Sequence, residues 1–175
     1  MNLSNEVRGA SGINILWPDI NNDDFKTALE IAEGGGSPNN LSPIIKYSLE
    51  NGVTVLWMGD LETEFMELIE DEIELSSIDI LIAPHHGRDS GKVPESWLQK
   101  LNPKLIIIGE AASSDLNYYD GYSTITQNSA GNITFECITN KVHIFVSNTD
   151  YSVDFLDQDS DYMEYEDNYL GTLKV

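Results

Sequence analysis

Two short apolar runs, each ending in polar residues, most constrain how this chain can fold. Residues 53–58 are followed by Gly59 and Asp60, and residues 78–83 are followed by Pro84-His85-His86-Gly87. Both runs have the length and composition of buried strands, and residues 61–72 between them have the spacing of an amphipathic helix. A strand–helix–strand unit places its two strands in parallel, so their carboxyl ends meet at one edge of the sheet. The sequence therefore predicts that Asp60 and the two histidines converge there.

The residue types predicted at this edge are those of a metal site. A carboxylate and imidazoles can hold zinc or manganese, and a metal-bound water becomes nucleophilic near neutral pH. Asp60, His85 and His86 are the candidate ligands, and His86 is alternatively a proton donor to a leaving group. Gly87 would let the backbone approach a ligand closely.

Structural explanations compete with this interpretation. An aspartate that precedes a helix is a common N-cap, and Asp60 fits that role. The histidine pair is harder to explain structurally, because two adjacent imidazoles would lose hydration in a core. His143 alternates with Val142 and Ile144, which is typical of an outward-facing strand residue rather than a ligand.

The order of predicted elements indicates an α/β fold in which helices cover apolar strands. The pattern is β, ββ, α, β, α, β, α, ββ. Predicted strands are residues 13–18, 44–49, 53–58, 78–83, 104–109, 132–137 and 142–147. Predicted helices are residues 24–33, 61–72, 94–101 and 122–129. We expect one domain over residues 1–149.

Residues 150–175 differ in character, since acidic and tyrosine residues crowd them. We predict a solvated acidic tail that is partly packed through its tyrosines. A calcium loop is an alternative because Asp157, Asp159 and Asp161 match its first ligands, but Tyr162 and Asn168 stand where glycine and glutamate are needed. A partner-binding segment is the other alternative.

Composition narrows the classes of function. The chain has 175 residues, with 30 acidic and 9 basic side chains and a net charge of −21. That balance argues against a protein that grips nucleic-acid phosphates by itself and favours a cationic partner, bound metal or simple solubility. The single cysteine, Cys137, excludes an internal disulfide and is expected to be a buried thiol. No apolar run is long enough for a membrane span, and we expect a cytoplasmic location by default.

Several segments together resemble a known family. They are residues 16–18, 40–42, 56–60, 80–90 and 102–104. Over residues 12–148 the chain resembles the metallo-β-lactamase fold hydrolases, in the branch of the ComEC-like DNA-uptake proteins. The resemblance implies an αββα sandwich with Asp60 bridging two metal ions. It also implies that one of His85 and His86 ligates the second metal and that the other contacts the substrate phosphate or leaving group.

The chain lacks the main metal motif of that family, His-x-His-x-Asp-His, which belongs to the amino-terminal half of the fold. We therefore expect the carboxyl-terminal half of a metal-dependent hydrolase, acting on a phosphoester or phosphodiester by metal-bound hydroxide. The site would hold one or two zinc or manganese ions. Its coordination would be completed by ligands from a partner chain that supplies the other half of the fold. A nucleotide, another small phosphoester or a nucleic acid could be the substrate. The alternative is a non-catalytic interaction module whose acidic tail binds a basic partner.

Overall fold

The computed structural model describes residues 11–163 and 167–175, which form two β-sheets and a set of short helices. Three residues of the predicted tail, Glu164, Tyr165 and Glu166, lie outside the described part, as do the first ten residues of the predicted domain. Within the described part, none of the helices has the length and apolar character needed to cross a bilayer.

The elements follow the chain in this order. The strands are β1 (Ile13–Trp17), β2 (Ile44–Ser48), β3 (Thr54–Trp57), β4 (Ile80–Ile82), β5 (Leu105–Ile108), β6 (Thr124–Thr126), β7 (Ile133–Ile138), β8 (Lys141–Val146) and β9 (Tyr169–Lys174). The α-helices are α1 (Asp23–Glu33), α2 (Thr63–Leu68), α3 (Glu95–Leu101), α4 (Gln127–Ala130) and α5 (Ser160–Met163). Short 3₁₀ turns lie at Asn39–Leu41, Glu70–Glu72, Pro84–Gly87 and Asp89–Gly91.

The larger sheet has six strands in the order β1-β2-β3-β4-β5-β6. Strands β1, β2 and β3 pair antiparallel, and strands β3 to β6 pair parallel. The predicted hairpin between β2 and β3 is present, and Asn51 in its turn has a φ of 55°, which asparagine tolerates better than most residues. The predicted α/β class is confirmed.

Helices cover one face of this sheet. Leu56, Leu81 and Ile106 on the central strands point into a core that α2 and α3 close with Met66 and Trp97. All five side chains are almost completely buried. Because each central strand is apolar on both faces, the opposite face must also be covered.

The second sheet covers part of that opposite face. Its strands lie in the order β7-β8-β9 and pair antiparallel. Val142 and Ile144 of β8 pack in one core with Ile80, Leu105 and Ile125 of the six-stranded sheet. The layers are therefore helices, six-stranded sheet, three-stranded sheet; the assignment to half of an αββα sandwich stays a prediction.

The helix predicted over residues 122–129 is wrong in its first half. Thr124–Thr126 form β6, and only Gln127–Ala130 are helical. Ile125 is fully buried in the core between the two sheets, while the two β-branched threonines beside it suit an extended backbone. Pairing with β5 therefore outweighs the helical spacing of this segment.

The predicted solvated tail also differs from the structure. Tyr169–Lys174 form β9, which pairs with β8, and Leu170 and Leu173 are buried in the core between the sheets. Asp157 exchanges two backbone hydrogen bonds with Thr172, at 3.0 and 2.8 Å. The described part of residues 150–175 is therefore integrated into the second sheet.

Candidate functional site

The candidate site lies at the carboxyl edge of the parallel strands. Trp57, the last residue of β3, is in register with Ile82, the last residue of β4. Asp60 follows the first of these strands and His86 the second, so the turns beyond them meet. His86 Nε2 lies 4.0 Å from Asp60 Oδ1, and both side chains are about half exposed, at 52% and 49%. The structure thus brings together the aspartate and one of the two histidines.

Local backbone geometry positions Asp60. Gly59 has a φ of +55°, and a Cβ placed on it would lie 2.6 Å from the Cβ of Ser42, so only glycine fits this turn. The backbone N–H of Asp60 donates to Ser42 Oγ at 2.9 Å. The N-cap explanation for Asp60 is wrong, because α2 has Glu62 in its N-cap position, without a side-chain cap bond. The Asp60 carboxylate is therefore free to face the cleft.

The two histidines occupy consecutive left-handed backbone conformations. His85 has φ 49° and ψ 43°, and His86 has φ 60° and ψ 9°. Such conformations are costly for residues other than glycine and cluster at functional sites. A hydrogen bond of 2.9 Å from the backbone N–H of His85 to the carbonyl of Gly59 joins this turn to the Asp60 turn. The histidine pair is thus fixed against the aspartate by backbone contacts.

His85 and His86 have different surroundings. His86 lines the cleft beside Asp60, whereas His85 Nδ1 lies 2.9 Å from Ser90 Oγ. The segment that carries Ser90 is held by Thr63, whose hydroxyl donates to the carbonyls of Ser90 at 3.2 Å and Lys92 at 2.7 Å. Only His86 therefore faces the same space as Asp60, and the Nδ1 of His85 is engaged.

The cleft at this edge has a volume of about 470 Å³ and is open to solvent. Its lining residues come from the ends of several strands. They are Ser42, Pro43, Trp57, Gly59, Asp60, Ile82, Ala83, His86, Ile107, Gly109 and Gln127. The sequence did not identify Trp57 or Gln127 as site residues. Trp57 lies within the apolar run of residues 53–58, which predicts a buried side chain, and Gln127 follows Thr124–Thr126, a strand where the residue spacing predicts a helix.

The donor set fits part of a metal site. Zinc is held by imidazole nitrogen and carboxylate oxygen at about 2.0–2.2 Å, which places two tetrahedral donors roughly 3.4 Å apart. The 4.0 Å between His86 Nε2 and Asp60 Oδ1 is about 0.6 Å longer than this spacing. Within residues 11–163 and 167–175, no group of three or more His, Cys, Asp or Glu side chains could hold a metal. The cleft therefore supplies a pair of donors.

His143 lies in the second sheet and is not among the residues that line the cleft. It belongs to β8, on the face of the second sheet that points away from the six-stranded sheet, as predicted, yet it is only 1% exposed. Its Nδ1 lies 2.7 Å from Thr172 Oγ1, and its ring stacks on Tyr162 with 3.9 Å between centroids. The residue is a packed part of the second sheet.

Cys137 is partly buried against the core between the two sheets, and burial raises the pKa of its thiol. A raised pKa keeps the thiol protonated and unreactive near neutral pH.

No protein-family model matches the chain, and no curated protein is significantly similar to it. The residues of the cleft are therefore the basis for assigning a function.

Proposed function

We propose that the chain is part of a metal-dependent hydrolase of phosphoesters or phosphodiesters, with Asp60 and His86 as its metal-facing pair. The observation that carries the proposal is the approach of these two donors to 4.0 Å in an open cleft at the carboxyl edge of parallel strands. That edge is where ligands of α/β proteins bind. The proposal also holds that the chain folds as the carboxyl-terminal half of a metallo-β-lactamase-type sandwich of the ComEC-like branch.

The surroundings of the histidines support distinct roles. His86 shares the cleft with Asp60 and is proposed as the ligand. His85 lies outside the cleft lining with its Nδ1 engaged by Ser90, so its Nε2 is proposed to contact the part of a substrate phosphate or leaving group that extends beyond the cleft. A bound zinc or manganese ion would supply Lewis acidity and an activated water.

A pair of donors leaves coordination positions to be filled, and the proposal assigns them to a partner chain that completes the fold. One or two ions would then lie between the two chains. We place the complex in the cytoplasm, with which the single Cys137 is compatible. A nucleotide or another small phosphoester suits the acidic chain better than nucleic acid, which is held through lysine and arginine.

The alternative function is a non-catalytic interaction module. It rests on the excess of acidic over basic side chains. Five of the eight Lys and Arg side chains in the described part already pair with acids of the same chain. The remaining acids are available to a basic partner.

Metal binding by the purified chain tests the proposal. We expect zinc or manganese to bind weakly in isothermal titration calorimetry, and D60N and H86Q each to weaken binding more than about tenfold, because each removes one of two protein donors. D154N replaces an exposed aspartate outside the cleft and should bind like the wild type. H85Q should retain metal binding, because His85 faces Ser90 rather than the cleft.

Hydrolysis of bis(4-nitrophenyl) phosphate gives a second measurement on the same proteins. Metal-dependent turnover is expected only when a partner chain supplies the remaining ligands; in that complex it should disappear with D60N and H86Q and persist with D154N. If D60N and H86Q bind metal as the wild type does, the metal-facing pair is wrong. If neither ion binds the wild type at millimolar concentration, the interaction module is the better function.

A further inference from the structure

Among the described residues, no layer of the structure covers one part of the six-stranded sheet on the side of the second sheet, where Trp57 is exposed and the neighbouring isoleucines are half-buried. Ile15 pairs with Ile45, and Ile45 with Trp57, so their side chains share one face with Val55 and Tyr47. Val55 and Tyr47 pack against the second sheet, whereas Ile13, Ile15, Ile45 and Trp57 belong to neither of the two cores formed by the described residues. We call these four residues the apolar strip.

The apolar strip is continuous with the candidate site. Trp57 is 45% exposed and lines the cleft together with Asp60 and His86. The other two tryptophans, Trp17 and Trp97, are completely buried. A large aromatic side chain left half exposed at the end of a buried strand is typical of an interface.

The second sheet stops beside the apolar strip. Strand β7 begins just after α4, and its turn into β8 lies at the β2–β3 turn, where Asn140 N–H donates to Asn51 O at 2.9 Å. Strand β9 lies on the other side of β8, and its end reaches the start of β5, where Lys104 Nζ donates to Lys174 O at 3.1 Å. Within the described part β7 pairs only with β8. Its free edge therefore faces the strip and the cleft.

An unpaired strand edge beside a partly exposed apolar face can accept a strand from another chain. A strand added to β7 would extend the second sheet across the apolar strip, and its inward side chains would need to be apolar. The chain's net charge of −21 disfavours a second copy and favours a basic occupant. Its own lysines are mostly paired already, as in the 2.9 Å contact between Lys104 and Asp79.

We propose that the apolar strip and the free edge of β7 bind a cationic protein segment in β-conformation, with one apolar face toward the strip and Lys or Arg on the other. This inference rests on the proposed function, which requires a partner chain. It adds the surface at which that partner binds and the chemistry of the partner. Docking there would place the segment beside Asp60 and His86, where further metal ligands are required.

A synthetic β-hairpin tests this surface directly. The probe alternates valine and lysine around an Asn-Gly turn, and its control carries glutamate in place of lysine. We expect the lysine hairpin to bind the metal-free chain and to shift the emission of Trp57 to shorter wavelength, with affinity falling as salt rises. The glutamate hairpin should bind more than about tenfold more weakly, because like charges oppose it.

Variants locate the binding surface. I15T and I45T keep β-branched residues in the strands, and each should weaken the lysine hairpin about tenfold, because apolar contact area is lost. W57K changes an exposed side chain, so the fold should tolerate it. Calorimetry should show the same loss of affinity for the lysine hairpin. I31T replaces an isoleucine of α1 that is 56% exposed and should bind the hairpin as the wild type does.

Three results would overturn the proposal. Equal binding of both hairpins would show that charge does not select the occupant. Undiminished binding to I45T and W57K would place the hairpin elsewhere. A dimer of the wild type that sedimentation shows to be lost in I45T would identify a second copy as the occupant. All these measurements are made without metal, so a failure of metal binding leaves them intact.

Discussion

At the scale of single residues, the site is built by backbone geometry as much as by side-chain chemistry. Gly59 turns the chain so that Asp60 faces the cleft, and Ser42 accepts the N–H of that aspartate. His85 and His86 hold left-handed conformations next to it. Strained non-glycine residues of this kind persist where surrounding contacts determine them. The cost of this turn is consistent with a function for the pair.

Another single residue, Asp79, ties the amino ends of two strands together. Its carboxylate accepts hydrogen bonds from the backbone and hydroxyl of Thr54 at 2.8 Å and pairs with Lys104 at 2.9 Å. Burial acts to raise the pKa of Asp79, but the bonds from Lys104 and Thr54 outweigh it and lower the pKa. A carboxyl with a lowered pKa stabilises the folded state above its unfolded pKa, and this contribution is lost as the pH falls through the folded pKa.

We predict that D79N loses about 1–3 kcal/mol of unfolding free energy at pH 7, because it leaves Lys104 without its partner. The difference from the wild type should shrink as the pH falls below about 4, where the unfolded carboxyl begins to protonate. Urea unfolding at several pH values measures this. The exposed D71N is the control and should stay within about 0.5 kcal/mol. A difference that does not change with pH would show that the charge of Asp79 is irrelevant.

At the scale of elements, β9 is a strand that the acidic composition of the surrounding sequence makes difficult to predict. Asp154, Asp157, Asp159 and Asp161 dominate the composition near the carboxyl end. The strand itself is the short run Tyr169–Lys174, in which four consecutive residues are buried. Its burial depends on the apolar face of β8, which lies more than twenty residues away in sequence. Composition averaged over residues 150–175 therefore could not predict it.

We predict that L173A costs about 2–3 kcal/mol, because it removes a buried side chain between the sheets and leaves a cavity. The matched control is L68A in α2, where the leucine is 58% exposed and its loss should change stability by less than about 0.5 kcal/mol. Urea unfolding followed by circular dichroism compares the two. Equal effects would mean that β9 adds nothing to the core.

At the scale of the whole molecule, the charge of −21 opposes the compact state. Exposed acids on α2 and the turn after it, Glu64, Glu67 and Glu72, have no basic neighbour among the ion pairs of the described residues. Self-repulsion of this kind is screened by salt, because the Debye length falls from about 10 Å at 0.1 M to about 3 Å at 1 M. Stability should therefore depend on ionic strength.

We predict that the urea midpoint rises when NaCl is increased over that range, since screening weakens repulsion between the acids. The triple variant E64Q, E67Q and E72Q should unfold at a higher midpoint in low salt and gain less from added salt. A midpoint that is independent of salt in both proteins would contradict the role of net charge.

Most of the six-stranded sheet was predictable from local patterns. Strands β1 to β5 are apolar runs bounded by turn residues, and the hairpin of β2 and β3 carries its Asn51-Gly52 signal. The meeting of Asp60 with the histidine turn follows from the parallel pairing of β3 and β4. Strand β6 has only three residues, too few for a period to distinguish strand from helix.

The sequence alone therefore determined the strand–helix–strand core and the edge at which Asp60 meets the turn that carries His85 and His86, because those depend on local spacing and on the geometry of parallel strands. Only the tertiary structure decided that His86 faces the cleft while His85 faces Ser90, since consecutive left-handed residues send their side chains in directions that spacing does not encode. Only the tertiary structure decided, too, that the second sheet stops short of Ile15, Ile45 and Trp57. Coverage of a sheet is a property of how layers pack, and no single segment carries it.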